Sequence, residues 1–266
     1  MSVKTISYNG LEVLTAENIP VTHAFTTRLG GVSQPPFDSL NLGLHRGDKP
    51  ENVAENHRRL AARLGYDPQK LVMSHQIHSD IVRAVTEKDA RGIDHKAYPE
   101  CDALITDTPG VALWVFTADC TPILLQDPVT GAVGAVHAGW RGTAGAIAGK
   151  TVEKMVALYG CRPENIRAAI GPNIGPCCFE THADVPEAME SAFGTDAKPF
   201  LRPAGDKYYV NLKELNALAL RAAGVRDIAI SPVCTVCQHH RFWSHRYTGG
   251  VRGSQGAVIV CKEAQL

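Results

Sequence analysis

The sequence predicts an α/β fold in which stacked β-sheets are covered by helices. Ten short runs are predicted to be strands, whereas only four segments carry a helical period. Two of the runs, VALWVF (111–116) and AVGAV (132–136), are too short for helices and nearly free of polar residues, as expected of strands buried on both faces. This excess of strands over helices favours stacked sheets with outer helices over a simple Rossmann order.

The elements follow from local patterns of apolar residues and chain breakers. Strands are predicted at 21–27, 70–74, 80–86, 111–117, 122–126, 132–137, 166–170, 208–210, 228–232 and 256–261. Helices are predicted at 50–64, after Gly142, at about 183–192 and at about 211–223. For the first helix, Asp48 is the predicted N-cap, Glu51 completes a box-like spacing, and Gly65 ends the helix.

Composition indicates one globular domain spanning residues 1–266. Hydrophobic residues make up 44% of the chain and charged residues 20%, and no repeat or long linker divides it. Lys+Arg and Asp+Glu both number 27, so charge gives no argument for nucleic acid or an anionic membrane as a partner. Without an apolar leader or a run of about 18 apolar residues, we expect a soluble, cytoplasmic protein.

The eight cysteines are not expected to form disulfides, because cytosolic thiols are kept reduced. The segment CTVCQHH (234–240) has the composition of a zinc half-site, but we favour a loop with buried thiols. For the adjacent Cys177 and Cys178 we expect one buried thiol and one thiol at a pocket edge.

Three segments place a metal ligand beside a predicted strand end. They contribute His78, Cys120 and His137. One Cys and two His match a catalytic zinc, which keeps three protein ligands and an open fourth position. The same residues leave a second interpretation open, in which Cys120 and His137 form a metal-free nucleophilic dyad. His75, at odd spacing from His78, is expected to point to the opposite face of an extended segment.

The motifs around these residues resemble the signature segments of the YfiH family of purine nucleoside phosphorylases, formerly described as polyphenol oxidases or laccases. The matching segments are HQIHSD (75–80), TADCTP (117–122), AVHAGWRG (135–142), the stretch 25–60 and IGPNIGPCCFE (170–180). The resemblance covers nearly the whole chain.

The resemblance implies a single-domain α/β/β/α sandwich and a Zn²⁺ ion held by His78, Cys120 and His137. It implies phosphorolysis of adenosine, inosine, guanosine and methylthioadenosine, with deamination of adenosine as a side activity. The expected partners are therefore purine nucleosides and phosphate. The chain departs from the family at 242–256, where FWSHRYTGGVRGSQG replaces a pattern with a second arginine, so selectivity among purines is open there.

Phosphorolysis needs a cationic pocket for phosphate. The candidates are Arg28, Arg46 and Arg141, which lie beside glycine-rich turns. Asp119 is a candidate partner of the metal site or a general acid/base, and equally a turn carboxylate bonded to backbone amides.

Other function classes were weighed against the phosphorylase. The stretch 144–151 is one residue from a Walker A loop, but a helical period runs through it, which disfavours an NTPase. Among 11 histidines there is no His-x-His pair, which disfavours a multicopper oxidase. A cysteine hydrolase that uses Cys120 and His137, and a non-catalytic partner protein of cell division or envelope upkeep, stay open. Metal content distinguishes the cysteine hydrolase from the zinc enzyme, and nucleoside turnover distinguishes the non-catalytic protein from it.

Overall fold

The computed structural model describes residues 2–93 and 98–262, which contain fifteen strands and six α-helices. The strands β1 to β15 are, in chain order, Val3–Tyr8, Leu11–Ala16, His23–Thr26, Leu71–Val72, Val82–Ala84, Ala103–Thr106, Ala112–Thr117, Thr121–Gln126, Val133–Ala138, Arg167–Ile170, Glu180–Thr181, Leu201–Ala204, Lys207–Val210, Asp227–Ile230 and Gln255–Val260. The helices α1 to α6 are Pro50–Leu64, Trp140–Ala144, Ile147–Tyr159, Asp184–Phe193, Leu212–Ala222 and His245–Thr248. Short 3-10 helices span Pro68–Lys70, Glu87–Asp89 and Gly194–Phe200.

Two six-stranded mixed sheets carry the fold. The first has the order β1-β2-β3-β15-β7-β4 and the second the order β14-β10-β8-β9-β6-β5. A small third sheet, β11-β13-β12, lies beside them. In the first sheet β15 is antiparallel to both neighbours, so that Val258 lies opposite Ala24 on one side and Trp114 on the other.

The two large sheets stack face to face and each carries helices on its outer face. Leu113 and Ile259 of the first sheet share one buried cluster with Leu124 and Ala169 of the second. Other buried clusters join the second sheet to α3 and α5, and the first sheet to α1. Each fully buried Leu or Ile gains about 1.5–3 kcal/mol from burial. The α/β/β/α sandwich expected from the sequence is therefore confirmed.

Helix α1 occupies its predicted residues but begins with a different cap. Lys49 is the N-cap and makes no side-chain cap bond, and Pro50 occupies the first helical turn. The Asp48 carboxylate instead accepts from the backbone N–H of Lys49 at 2.8 Å and from Asn41 Nδ2 at 3.0 Å. The predicted cap at Asp48 is therefore wrong by one residue, whereas Gly65 ends the helix in the left-handed region (φ 74°) as predicted.

Other elements differ from the prediction. The helix after Gly142 is two helices, α2 and α3, because Ala146 interrupts the chain with φ 53°. The uninterrupted helical period expected across 144–151 is therefore wrong, although that stretch does not form a loop directly after a strand either. The hairpin of β1 and β2 was missed, and its turn residues Asn9 and Gly10 both have positive φ, as type I′ turns require.

Among the described residues, none of the helices has the length and apolar composition needed to cross a membrane.

Candidate metal centre

Strand pairing brings His78, Cys120 and His137 together. Cys120 lies in the tight turn between β7 and β8, and His137 lies on β9, which pairs with β8 so that Pro122 is opposite His137. His78 lies in the loop between β4 and β5. One ligand atom from each of the three side chains falls within 4.8 Å of the others, and Cys120 Sγ is 3.9 Å from His78 Nε2. The predicted convergence of the three side chains is therefore observed.

Asp102, which precedes β6 and is fully buried, organises both histidines. Its Oδ1 accepts from His137 Nδ1 at 2.8 Å and from the backbone N–H of His78 at 3.1 Å. Its Oδ2 accepts from the backbone N–H of Ser79 at 2.7 Å and from the Ser79 hydroxyl at 2.7 Å. A carboxylate bonded to Nδ1 leaves Nε2 of His137 free for a metal, which is the usual support for a ligating histidine.

Sequence reasoning missed Asp102, although a signal was present. The apolar run ALIT (103–106) forms β6 and pairs with β9, and an aspartate directly before a buried strand is costly unless it is hydrogen-bonded. Pairing to β9 is what brings this carboxylate to His137.

Close packing at the cluster requires a glycine at position 139. A Cβ there would lie 2.9 Å from His78 Cδ2 and 3.4 Å from Cys120 Sγ. His78 itself has φ 61°, a strained left-handed conformation that the Asp102 carboxylate holds through the amides it binds. The close packing at Gly139 and the Asp102 carboxylate therefore restrict where the three side chains can lie.

Charge within the cluster favours an ion pair between Cys120 and His137. Burial would lower the pKa of His137, but the facing Cys120 and the hydrogen bond to Asp102 raise it to about 9, so a metal would have to displace a proton from His137. Burial alone would raise the pKa of the Cys120 thiol, but the facing His137 outweighs it and lowers that pKa below its ordinary value. Burial would likewise raise the pKa of Asp102, but hydrogen bonds from His137 and Ser79 lower it to about 2. Asp102 is therefore an anion at neutral pH, and the thiolate of Cys120 is favoured over the thiol.

The neighbours Asp119 and His75 are placed differently from the three ligands. Asp119 is buried, and its oxygens accept from Thr235 Oγ1 at 2.6 Å, from Ser244 Oγ at 3.0 Å and from the backbone N–H of Arg246 at 2.7 Å. These bonds make it an anchor for two segments of the cavity wall. His75 is exposed, lies 3.9 Å from a Glu100 oxygen, and is outside the cluster, as predicted. It nevertheless lines the same cavity as His78, so the expectation that it points to the opposite face is wrong.

The cluster lines a half-open cavity of about 930 Å³. This is within the range of small-molecule sites. Its apolar lining comes from large side chains, and its polar lining includes several imidazoles. The apolar residues include Leu44, Phe116, Trp140, Ile174 and Phe179, and the imidazoles beyond the cluster are those of His45, His75 and His245.

Of the three arginines predicted to bind phosphate, only Arg46 lines this cavity. The guanidinium of Arg28 donates to the Asp38 and His239 carbonyls and stacks on Trp243 at 3.9 Å. Arg141 is exposed and lies 4.2 Å from the Trp140 ring. Neither Arg28 nor Arg141 therefore reaches the cavity in this structure.

Arg252, which was not predicted as a site residue, lines the cavity from the divergent segment 242–256. Only 9% of it is exposed, and burial together with the like charge of Arg46 lowers its pKa to about 10. Its Nη1 donates to the Gly253 carbonyl and to Ser254 Oγ, while its Nε has no hydrogen-bond partner among residues 2–93 and 98–262. A buried cation with an unused donor, next to a second cation, has the charge and the hydrogen-bonding capacity that suit an anion.

A second cluster of possible ligands lies apart from the first. Cys177, Cys178, Cys234 and Cys237 bring their sulfurs within 4.8 Å of one another. All four are free thiols. The expectation of one buried thiol and one thiol at a pocket edge is wrong for Cys177 and Cys178, because Cys177 is exposed, Cys178 is half-buried, and neither lines the cavity. The buried-thiol interpretation of 234–240 holds for Cys234 and is wrong for the exposed Cys237.

The chain matches known proteins over most of its length. The family model described as multi-copper polyphenol oxidoreductase laccase matches residues 22–262. The purine nucleoside phosphorylase of Deinococcus radiodurans is 42% identical over 94% of this chain and 93% of its own, and purine nucleoside phosphorylase YfiH of Escherichia coli is 38% identical over 83% and 86%. The crystal structure of YlmD from Geobacillus stearothermophilus superposes with a TM-score of 0.91 at 38% identity, covering 97% of this chain and 98% of that one.

The fold, the cavity and these similarities agree with the resemblance drawn from the sequence motifs. The chain belongs to the family of YfiH and YlmD, whose family model carries the laccase description and whose curated members are named purine nucleoside phosphorylases.

Proposed function

We propose that this protein is a zinc-dependent purine nucleoside phosphorylase and that residues 1–266 act as one catalytic domain. One observation carries the proposal: a three-ligand metal cluster and two of the three cavity-lining arginines, Arg46 and Arg252, share one cavity of nucleoside size. The names of the relatives supply the substrate class.

The donor set fits zinc. His and Cys are preferred zinc ligands, and a catalytic zinc keeps three of them with the fourth position open. Two histidines and a cysteine are also the ligands of blue-copper sites, which complete the set with an axial methionine or a similar weak ligand. Here His78, Cys120 and His137 all line the cavity, so the remaining side faces solvent and substrate, which favours zinc. When bound, zinc supplies a Lewis acid at that side.

In phosphorolysis an oxygen of phosphate forms a bond to C1′ of the ribose, while the C1′–N9 bond breaks and the purine takes up a proton. Arg46 and the buried Arg252 are placed to hold phosphate, because charge-assisted bonds to guanidinium fix both its position and its orientation. Phe116, Phe179 and Trp140 offer apolar surface to the purine. The imidazoles of the cavity offer hydrogen bonds to ring nitrogens and sugar hydroxyls.

Within this scheme Asp102 and Asp119 act by positioning. Asp102 fixes the orientation of His137 and the backbone at His78. Asp119 holds Thr235, Ser244 and the backbone at Arg246, and so supports the wall that carries Phe179 and Arg246. The proposal includes inosine, guanosine and methylthioadenosine as substrates, and deamination of adenosine as a slower side reaction.

The test is product analysis with adenosine. In the presence of phosphate the protein is expected to release adenine and ribose 1-phosphate, and more slowly inosine. Without phosphate, base release should stop while inosine formation continues. Base release that ignores phosphate indicates a hydrolase. A folded, zinc-loaded protein that turns over no purine nucleoside contradicts the proposal and favours a non-catalytic role.

A second candidate is a metal-free cysteine hydrolase, because Asp102, His137 and Cys120 follow one another as the carboxylate, base and nucleophile of a catalytic triad would. Elemental analysis of protein purified without added metal separates the two. Zinc at about one equivalent in this cluster supports the phosphorylase. Copper in its place contradicts the zinc assignment, and full activity without metal favours the triad.

A further inference from the structure

The four-cysteine cluster has the dimensions of a metal cage. The distance from Cys237 Sγ to Cys177 Sγ is 3.6 Å and to Cys178 Sγ 3.5 Å, and all four sulfurs lie within 4.8 Å of one another. A tetrahedron with zinc–sulfur bonds of about 2.3 Å has edges of about 3.8 Å. The sulfurs therefore surround a centre of the correct size, whereas a disulfide would need one pair to close to about 2.05 Å.

The fold brings the two cysteine pairs together from two loops. Strands β10 and β14 are parallel neighbours, so the loops that follow them leave the second sheet at the same edge. The first loop carries Cys177 and Cys178, and the second carries Cys234 and Cys237. The two loops are joined at Asn173 and Cys234, and the backbone N–H of Thr235 donates to the Asn173 carbonyl at 2.9 Å. Each loop thus supplies half of the cage from a fixed base.

The surroundings of the sulfurs support a bound cation. The backbone N–H of Gly175 donates to Cys234 Sγ at 3.2 Å, which is the kind of outer bond that orients and stabilises a thiolate ligand. Position 175 needs a glycine, because a Cβ there would lie 3.0 Å from Cys234 Cβ and 3.2 Å from Cys177 Sγ. A larger residue would fill the space in which the sulfurs meet.

Charge gives a second, independent indication. Lys213 is only 5% exposed, and its Nζ donates at 2.6 Å to the carbonyl of Val233, the residue before Cys234. A zinc ion with four thiolates carries a net charge of about −2, and a buried ammonium next to it offsets part of that charge. Four sulfurs held this close are best accommodated as ligands of one cation.

We propose that Cys177, Cys178, Cys234 and Cys237 bind a zinc ion of their own, in a closed structural site. With four protein ligands the ion has no open position, so its role is to hold the two loops together. Holding the loops together also affects the cavity, because Ile174 and Phe179, which flank Cys177 and Cys178 in the sequence, line the cavity. Arg246 Nη1 donates to the Cys178 carbonyl, and Thr235, next to Cys234, donates to Asp119.

Metal analysis of full-length variants tests this proposal independently of the cavity cluster. In a His137→Ala background, which disables the cavity cluster, about one zinc per chain should stay bound and should be lost on adding Cys237→Ser. Adding Cys161→Ser instead removes a buried thiol outside both clusters and should leave the zinc in place. Zinc that disappears with His137→Ala alone, or that survives Cys237→Ser, overturns the proposal.

Cobalt substitution gives a readout that is taken first on the wild-type protein. Wild-type protein loaded with Co²⁺ should show the intense visible bands of tetrahedral cobalt with four thiolates, and these bands should persist in His137→Ala. Wild-type spectra that show only the weaker bands of a mixed nitrogen–sulfur site overturn the proposal. So does a disulfide among the four cysteines, detected by mass in unreduced, denatured protein from a reducing preparation.

Discussion

The two clusters of possible metal ligands differ in what surrounds them. His78 and Cys120 lie in two loops that connect the first sheet to the second, and His137 lies on the central strand β9. These three residues include two imidazoles and line a cavity of about 930 Å³. Cys177, Cys178, Cys234 and Cys237 come from two adjoining loops, include only thiols, and meet around a centre close to the size of one zinc ion.

Under the two proposals, one chain places two metals in different roles. Three ligands of mixed type with one side toward a cavity leave room for substrate, whereas four sulfurs leave none. The cavity also brings Arg46 and Arg252 near the first cluster, while the second has the buried Lys213, which balances charge and does not face a ligand. Variants that remove one cluster at a time are therefore expected to separate activity from stability.

The largest effect is expected from the cavity cluster. Cys120→Ser and His137→Ala should lower turnover of adenosine by about 10³-fold, because a metal that stabilises charge contributes several kcal/mol and each 1.36 kcal/mol is tenfold. Cys234→Ser is the matched control from the other cluster and should keep most of the turnover of the folded protein. Turnover measured with saturating phosphate checks this. An active Cys120→Ser together with an inactive, folded Cys234→Ser would reverse the roles given to the two clusters.

A smaller effect is expected at the anion side of the cavity. Arg252→Met keeps the bulk of the side chain and removes its charge, so the KM for phosphate should rise about 30-fold, as for a lost charge-assisted bond of about 2 kcal/mol. Arg141→Met removes an exposed arginine that does not line the cavity and should change the KM by less than about twofold. Steady-state kinetics with varied phosphate give both values. Equal KM values in the two variants would show that phosphate binds elsewhere.

The carboxylate behind the cavity cluster should act on metal affinity more than on turnover. In Asp102→Asn, a side-chain amide takes the place of the carboxylate that accepts from the backbone N–H groups of His78 and Ser79, and the negative charge beside His137 is lost. The affinity of the cavity cluster for zinc should therefore fall about 10- to 100-fold. Competition with a zinc chelator measures the affinity, and turnover with excess zinc should recover most of the activity. If excess zinc restores nothing while zinc stays bound, Asp102 takes part in the chemistry directly.

The smallest effect on turnover is expected from the four-cysteine cluster. Cys237→Ser changes an exposed thiol, but it should also remove a structural metal. The free energy of unfolding should therefore fall by about 3 kcal/mol, which is at the upper end of the usual range for a single substitution. For a chain of this size that lowers the melting temperature by about 6–12 °C. The matched variant Cys161→Ser should cost about 1 kcal/mol. Thermal unfolding of zinc-loaded proteins measures both, and equal shifts would mean that the cluster holds no metal.

The sequence predicted the fold well where residues are buried on both faces. VALWVF and AVGAV became β7 and β9, and the layered sandwich followed from the excess of strands and from the family resemblance. The edge strand β1 was missed because its side chains alternate weakly between partly and fully exposed, so its hydrophobic period is faint. The break at Ala146 was missed because the apolar spacing continues across it.

The candidate site was predicted only where a motif marks it. His78, Cys120 and His137 stand out by residue type beside strand ends, and they converge as expected. Asp102 and Arg252 are set by long-range pairing, since β6 joins β9 and the segment before β15 folds back over the cavity. An aspartate before an apolar run marks Asp102 as unusual but does not name its partner His137, and no local pattern marks Arg252. For the same reason the two cysteine pairs, 57 residues apart between Cys177 and Cys234, gave no joint signal.

The position of β15 has a consequence for how the chain is made. This strand, residues 255–260, lies between β3 and β7 in the first sheet, although both neighbours precede it by well over a hundred residues. During synthesis, β3 and β7 therefore leave the ribosome with facing edges unpaired, and the first sheet closes only after residues 255–260 have emerged. Since Arg252 and Ser254 enter the cavity wall just before this strand, a nascent chain acquires its anion site as one of the last steps of folding.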